Sequence, residues 1–274
     1  MEDVKTAKGG LWIMTERFAG KVVLITGGGS GLGRSAAVEV AREGAKLALV
    51  DVNMKALEET KRVISEEVQH AEFLLIEGDV SDEEAVKKYV SDTVNEFGSI
   101  DAFFNNAGIE GKQNLIENYE TEMFNKVIDI NLKGVFFGLK HVLPVMKKQG
   151  EGYIVNASSV GGIRAVPNLV AYGASKHAVA GMTKDAAIEY AEHGISVNAI
   201  APGAILTDMV IGSFKQINPN DWESASKEFV KDNPAKRLGE PKEVGRLVAF
   251  LLSGEAPFIN GAIIPIDGAQ SAKY

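Results

Sequence analysis

The chain has 274 residues, 45% hydrophobic and 24% charged, enough to bury a large core in one or two domains. Its formal net charge of −8 argues against nucleic-acid or anionic-membrane partners. It contains no cysteine, which excludes disulfides, thiolate metal sites and a thiol nucleophile and fits a reducing, cytoplasmic setting.

In chain order, residues 1–20 read as an N-terminal extension, and Met1–Ile13 lacks the basic-then-apolar order of a signal peptide. The first buried strand is predicted at Val22–Ile25. It runs into the glycine-rich turn Thr26-Gly-Gly-Gly-Ser-Gly-Leu-Gly33, which opens a helix near 32–43. A second strand, Lys46–Val50, ends at Asp51 and precedes a helix near 54–69. A third strand, Phe73–Ile76, leads to a helix near 82–97, with a capping signature in Ser81-Asp-Glu-Glu84.

The fourth strand is predicted at Ala102–Phe104, followed by Asn105-Asn-Ala-Gly108 and one long helix near 120–149. Tyr153–Val155 and Ser196–Ile200 read as strands five and six, flanking a helix near 172–193. An irregular stretch at about 203–220 and a short helix near 221–231 come next. A helix near 241–253 and a last strand at Ala262–Ile266 complete the pattern. Gly44, Gly98, Gly150 and Gly194 each follow a helical pattern and lead into a strand, as expected of C-terminal caps.

Continuous apolar strands separated by helices indicate a parallel sheet covered on both faces. Right-handed crossovers then give an α/β doubly wound sheet of about seven strands. Residues 21–274 are expected to form one Rossmann-like domain, with a substrate loop and short helix at about 203–232. No apolar stretch reaches the roughly 18–20 residues that span a membrane.

Two constellations carry chemistry. The glycine-rich turn lets the backbone approach a pyrophosphate, and the helix after it offers free N–H groups and a positive dipole end. Asp51, at the end of the next strand, can accept hydrogen bonds from ribose hydroxyls and would repel the 2′-phosphate of NADP. Asp51 could instead cap the following helix, as could Asn53. Arg34 could attract a phosphate but falls inside the helix, and position 52 is valine. The cofactor is therefore expected to be NAD. At the other end of the chain, Tyr172 and Lys176 lie four apart on one helix face. A cation beside a phenol favours the phenolate, so this tyrosine could exchange a proton with a substrate oxygen near neutral pH.

With the glycine-rich turn, Asp51, Asn105-Asn-Ala-Gly108, Ser159, Tyr172 and Lys176 in order, the chain resembles the short-chain dehydrogenase/reductase family from about Lys21 to Gly268. The resemblance implies that Gly27, Ser30, Gly31, Leu32 and Gly33 form the pyrophosphate turn. It implies that Asp51 reads the adenosine ribose, that Asp79 and Val80 flank the adenine, and that Asn105, Ala107 and Gly108 line the cofactor. Pro202, Gly203, Ile205 and Thr207 would hold the nicotinamide carboxamide. Tyr172, Lys176 and Ser159 would be catalytic, and Asn131 would hold a water chain to the lysine. The family's spacing to the tyrosine selects Ser159 over Ser158. Asn106–Gln113, Ser159–Arg164 and Ile266–Tyr274 are similar to the branch of the family that acts on cyclic ketones, alcohols and diols.

The resemblance implies a homotetramer. Phe136, Phe137, Val179 and Met182 exceed what one sheet face needs, and the tail to Tyr274 is expected to reach a neighbouring subunit. Met209, Val210, Phe214, Trp222 and Phe229 offer apolar surface for an uncharged substrate. Glu110 and Arg164 could orient its polar groups or be solvated loop charges. The four histidines show no ligand spacing, and no metal is expected. Alternative functions are an NAD(H)-binding sensor without turnover, a dehydrogenase of diols or sugars, and an epimerase or dehydratase on the same scaffold.

Overall fold

The computed structural model describes residues 16–273. Seven strands form one parallel sheet in the order β3-β2-β1-β4-β5-β6-β7. They are β1 (Val22–Thr26), β2 (Lys46–Asp51), β3 (Phe73–Glu77), β4 (Ala102–Asn105), β5 (Gly152–Ala157), β6 (Ile195–Pro202) and β7 (Ile263–Ile266). Neighbouring side chains on a strand face opposite sides, and here both sides are buried. Val23, Ile25, Leu47, Leu49 and Phe104 join one core, while Leu24, Ala48, Val50 and Phe103 join the other. This double burial is why the strands read as unbroken apolar runs.

The first core is closed by α1 (Gly31–Arg42), α2 (Met54–Glu67) and α9 (Pro241–Leu252). The second is closed by α3 (Glu83–Phe97), α5 (Gly134–Gln149) and α6 (Val170–Tyr190). Gly44, Gly98, Gly150 and Gly194 all have positive φ, as their cap positions require.

Several expectations change in the structure. The helix predicted at 120–149 is three pieces: α4 (Thr121–Ile128), a π-helical turn at Asp129–Lys133, and α5. The stretch read as irregular holds a ten-residue helix, α7 (Asp208–Ile217), before α8 (Trp222–Asp232). Thr207 caps α7, its Oγ1 accepting from Val210 N at 3.4 Å. Asp82, one residue past the predicted Ser81, is the cap of α3 and accepts from Glu84 N. Ser81 instead donates to Asp79 through both its amide and its hydroxyl.

The boundary between extension and domain moves toward the N-terminus. Phe18 is fully buried in the first core, and Arg17 pairs with Glu43 and Glu255. The expectation for residues 1–13 lies outside the described residues. Val179 is also buried, and Phe137 and Met182 pack on the second core, which leaves Phe136 of that group 48% exposed. The tail folds back on its own chain: Ser271 N donates to Asp267, and Lys273 Nζ donates to Asp232 O.

Candidate active site

Strand order reverses at β1, whose neighbours are β2 and β4. The loops leaving the C-terminal ends of β1 and β4 therefore diverge, and a crevice opens there. Thr26, fully buried at the end of β1, holds the two strand ends together. Its Oγ1 accepts from Asn106 N at 2.9 Å and from Ala107 N at 3.1 Å. The crevice is a cleft of about 620 Å³.

One end of the cleft is built for close backbone approach. Gly27 has φ +66°, and a Cβ there would lie 2.8 Å from Asn106 Nδ2. A Cβ on Gly33 would lie 2.1 Å from Gly27 O, so α1 can pack this tightly on the turn only with glycine at that position. Ser30 begins α1 in an extended conformation with no side-chain cap, and the first turn carries no acid. The N-terminus of α1 therefore borders the cleft with no acidic side chain in its own first turn.

Asp51 also borders the cleft, and its carboxylate is already a structural acceptor. Oδ2 accepts from Gly29 N at 3.0 Å, and Oδ1 accepts from Asn53 N at 3.1 Å. The cap of α2 is Asn53, which accepts from Ala56 N. Arg34 turns away: its Nε donates to Thr60 Oγ1 and its Nη2 to Gly29 O, and it lines a separate outer groove. Asp79 and Val80 border the same end of the cleft.

Of the other predicted residues, Ala107, Gly108, Pro202, Gly203, Ile205 and Thr207 line the cleft. Asn105 does not. It is buried at the end of β4, and its Nδ2 donates to Val135 O at 2.9 Å. Asn106 takes its place on the wall, together with Val52, weighed in the sequence only for cofactor choice, and with Val50, Gly78, Lys126 and Ile130, which were not expected at the site. Gly33 likewise lies behind the wall and acts through packing. Met209 and Val210 reach the cleft, whereas Phe214 and Phe229 pack edge-on at 5.6 Å and join α7 to α8.

The other end gathers Ser159, Tyr172, Lys176 and Asn131. Ser159 follows β5, its Oγ accepts from Gly161 N, and both Ser159 and Tyr172 line this end of the cleft. Ser158 points elsewhere, donating to Lys176 O at 3.0 Å. Lys176 is buried, donates to Ala157 O at 2.7 Å, and lies 5.6 Å from the Tyr172 ring centre. Asn131 sits in the π turn. It accepts from Ile109 N and donates to Ile109 O, both at 2.8 Å, and reaches Ser175 Oγ at 3.3 Å. A Cβ on Gly108 would meet Asn131 Oδ1 at 3.1 Å and Lys176 Nζ at 3.5 Å, so these three residues converge. π turns within helices recur at functional sites.

The electrostatics differ from the expectation that Lys176 lowers the tyrosine. Burial pushes the Tyr172 phenol above its ordinary value, the Ser159 hydroxyl pulls it down, and the Glu110 carboxylate raises it further. Burial lowers Lys176 to about 8. Both groups are thus shifted toward their neutral forms, because burial penalises each charge.

The family described as Enoyl-(Acyl carrier protein) reductase matches residues 27–269. The chain belongs to the short-chain dehydrogenase/reductase family. It is an oxidoreductase of that family. It is 54% identical to levodione reductase of Leifsonia aquatica over 260 residues, 95% of this chain and 97% of that one. A crystal structure of levodione reductase superposes with a TM-score of 0.93, covering 94% of this chain and 100% of the other. Cyclohexanol dehydrogenase of Acinetobacter sp. (strain SE19) is 38% identical over 262 residues, 95% of this chain and 99% of that one. An NAD+-bound xylitol dehydrogenase is 36% identical with a TM-score of 0.87, covering 91% of this chain and 98% of the other. Among the described residues, no group of acidic or histidine side chains could hold a metal, and no helix is long and apolar enough to cross a membrane.

Proposed function

We propose that this short-chain dehydrogenase/reductase uses NAD to interconvert a small cyclic ketone and its alcohol. The single observation that carries the reading is the convergence of Tyr172, Ser159 and Lys176 at one end of a cleft whose other end is a glycine cradle. The names of the similar levodione reductase and cyclohexanol dehydrogenase support the substrate class.

When bound, NAD supplies the hydride acceptor, and NADH the donor. Gly27, Ser30, Gly31 and Leu32 hold the pyrophosphate at the start of α1. Asp51 accepts from the adenosine ribose hydroxyls. Val52 is 64% exposed beside it, and Arg34 is turned from the cleft and held at Gly29 O. NAD is therefore preferred over NADP. Asp79 and Val80 flank the adenine. Ala107, Gly108, Pro202, Gly203, Ile205 and Thr207 hold the nicotinamide half.

At the reacting oxygen, Tyr172 gives its proton to a ketone during reduction or takes one from an alcohol during oxidation. Ser159 donates to the same oxygen and stabilises developing negative charge. Lys176 holds its ammonium beside the phenol and the nicotinamide ribose. Asn131 fixes the Ile109 backbone and leads a water chain to Lys176. Met209 and Val210 present the apolar wall for the ring. The protein works in the cytoplasm, a reading supported by its lack of cysteine. It assembles as a homotetramer, a reading supported by the exposed Phe136 on α5 and Ile188 on α6.

The test is to mix the purified protein with NADH and a panel of cyclic and aromatic ketones and follow NADH absorbance. Oxidation of NADH by a cyclic ketone is expected. Tight NADH binding with no turnover of any ketone, or of any alcohol with NAD, would instead favour a sensor.

A further inference from the structure

Helices α7 and α8 form a pair beside the cleft, and Met209 and Val210 of α7 line it. Among the described residues, α7 buries only Phe214 and α8 only Ser226, and Phe214 meets Phe229 of α8 edge-on. With so little apolar burial, the pair separates from the body more easily than the helices packed on the sheet. Its base is tied where the chain leaves and rejoins the body: Leu206 N donates to Gly239 O at 2.9 Å, and Gly239 N to Ala204 O at 3.0 Å.

The other end of α7 is tied to the loop after β4 by four hydrogen bonds. Gln113 Nε2 donates to Ser213 O at 3.2 Å and to Ser213 Oγ at 2.8 Å. Gln113 N donates to Gln216 Oε1 at 3.0 Å, and Gln216 Nε2 donates to Gly111 O at 3.2 Å. The loop is itself fixed to the segments around the reacting end. Asn131 holds both backbone groups of Ile109 at 2.8 Å, and Ile109 lines the cleft. Asn114 N donates at 2.9 Å to Asn168 O, just before the helix that carries Tyr172. Hydrogen bonds thus join the helix of Met209 and Val210 to the segments of Asn131 and Tyr172.

We infer that Gln113 and Gln216 are positioning residues that latch α7 to the loop after β4, and that undoing the latch opens the nicotinamide end of the cleft. The inference rests on the NAD and cyclic-ketone reading above. Neither glutamine touches a ligand; each acts through Met209 and Val210. The latch is suited to opening, because Gln113 is half-buried and Gln216 exposed, so water replaces the broken bonds at small net cost. Each such bond shifts an equilibrium by a factor of about two to ten. That is enough to hold the cleft closed around bound NADH and ketone and still let them leave.

The experiment measures NADH release, by stopped-flow displacement with excess NAD, and kcat and KM for a cyclic ketone. It compares the native enzyme with Gln113→Met and Gln216→Met, each of which keeps the side-chain length and loses two of the four bonds. NADH should leave each variant about fivefold faster, and KM for the ketone should rise by a similar factor, with kcat no lower than about half the native value. A merely structural role would lower the melting temperature and kcat while release rate and KM stay native, and that result overturns the inference. NADH release is read without ketone, so faster release in variants of an enzyme that turns over no ketone upholds the latch and fails the cyclic-substrate reading. If NADH does not bind, amide exchange in the free protein decides. Faster exchange at α7 in both variants, with α9 unchanged, supports the latch; native exchange at α7 refutes it.

Discussion

Lys176 Nζ lies 5.6 Å from the centre of the Tyr172 ring and is held there by a hydrogen bond to Ala157 O. The ammonium is thus fixed close to the phenol while buried. Its position has a measurable cost for folding as well as a use in chemistry.

Lys176 has a folded pKa of about 8, below its ordinary value of 10.5. Between those values the unfolded chain keeps a proton that folded Lys176 releases, so stability rises with pH across that window. Below pH 8 both states are charged and the burial penalty is fully present. The Lys176-dependent gain is on the order of 3 kcal/mol at most. Urea unfolding at pH 7 and pH 9.5 should show a rise for the native protein that is smaller in Lys176→Met. Identical pH dependence in both would show that the lysine is not depressed.

Asp51 should set the choice between NAD and NADP. We expect NADH to bind at least tenfold more tightly than NADPH, a difference of about 1.4 kcal/mol. Replacing Asp51 by alanine together with a basic residue at position 52 should narrow it. Fluorescence titration with both cofactors measures the gap, and equal affinities in the native protein would remove Asp51 from this role.

Gly33→Ala places a methyl group 2.1 Å from Gly27 O, a backbone atom that cannot yield cheaply. The substitution should lower stability by about 1–3 kcal/mol. Because it pushes α1 from the turn, NADH affinity should fall as well. Thermal unfolding with and without NADH reads both effects, and an unchanged melting temperature would mean that the turn relaxes freely.

Sedimentation at micromolar concentration should give a tetramer, and Phe136→Asp should shift it to smaller species. One of the supports that the sequence offered is gone, since Val179 is buried; Ser271 and Lys273 of the tail bond within their own chain, and Tyr274 lies outside the described residues. The tetramer now rests on exposed apolar residues such as Phe136. A monomer would leave that exposure unexplained.

The sheet was readable because burial on both faces leaves long apolar runs, and the caps because glycine alone suits them. The π turn at Asp129–Lys133 was not readable, since one extra residue in a helix leaves the apolar period nearly intact. Helix α7 hid because its apolar residues divide between two partners, Met209 and Val210 toward the cleft and Phe214 toward α8. The glycine cradle was legible because a strand precedes it and a helix follows, and the Tyr172–Lys176 pair only because it came with that cradle and the family's other motifs. Asn105 and Asn106 were harder to separate. Asn105 still belongs to the strand and is buried toward Val135, while Asn106 lies beyond it and meets the cleft.

The central claim is that Tyr172 handles the proton at the reacting oxygen while the rest of the cleft binds NADH. The most direct measurement pairs NADH affinity with ketone reduction in Tyr172→Phe, which keeps the ring and removes only the hydroxyl. Turnover should fall by about 10²-fold or more while NADH affinity stays within about twofold of the native value. Retention of native turnover by Tyr172→Phe would contradict the account.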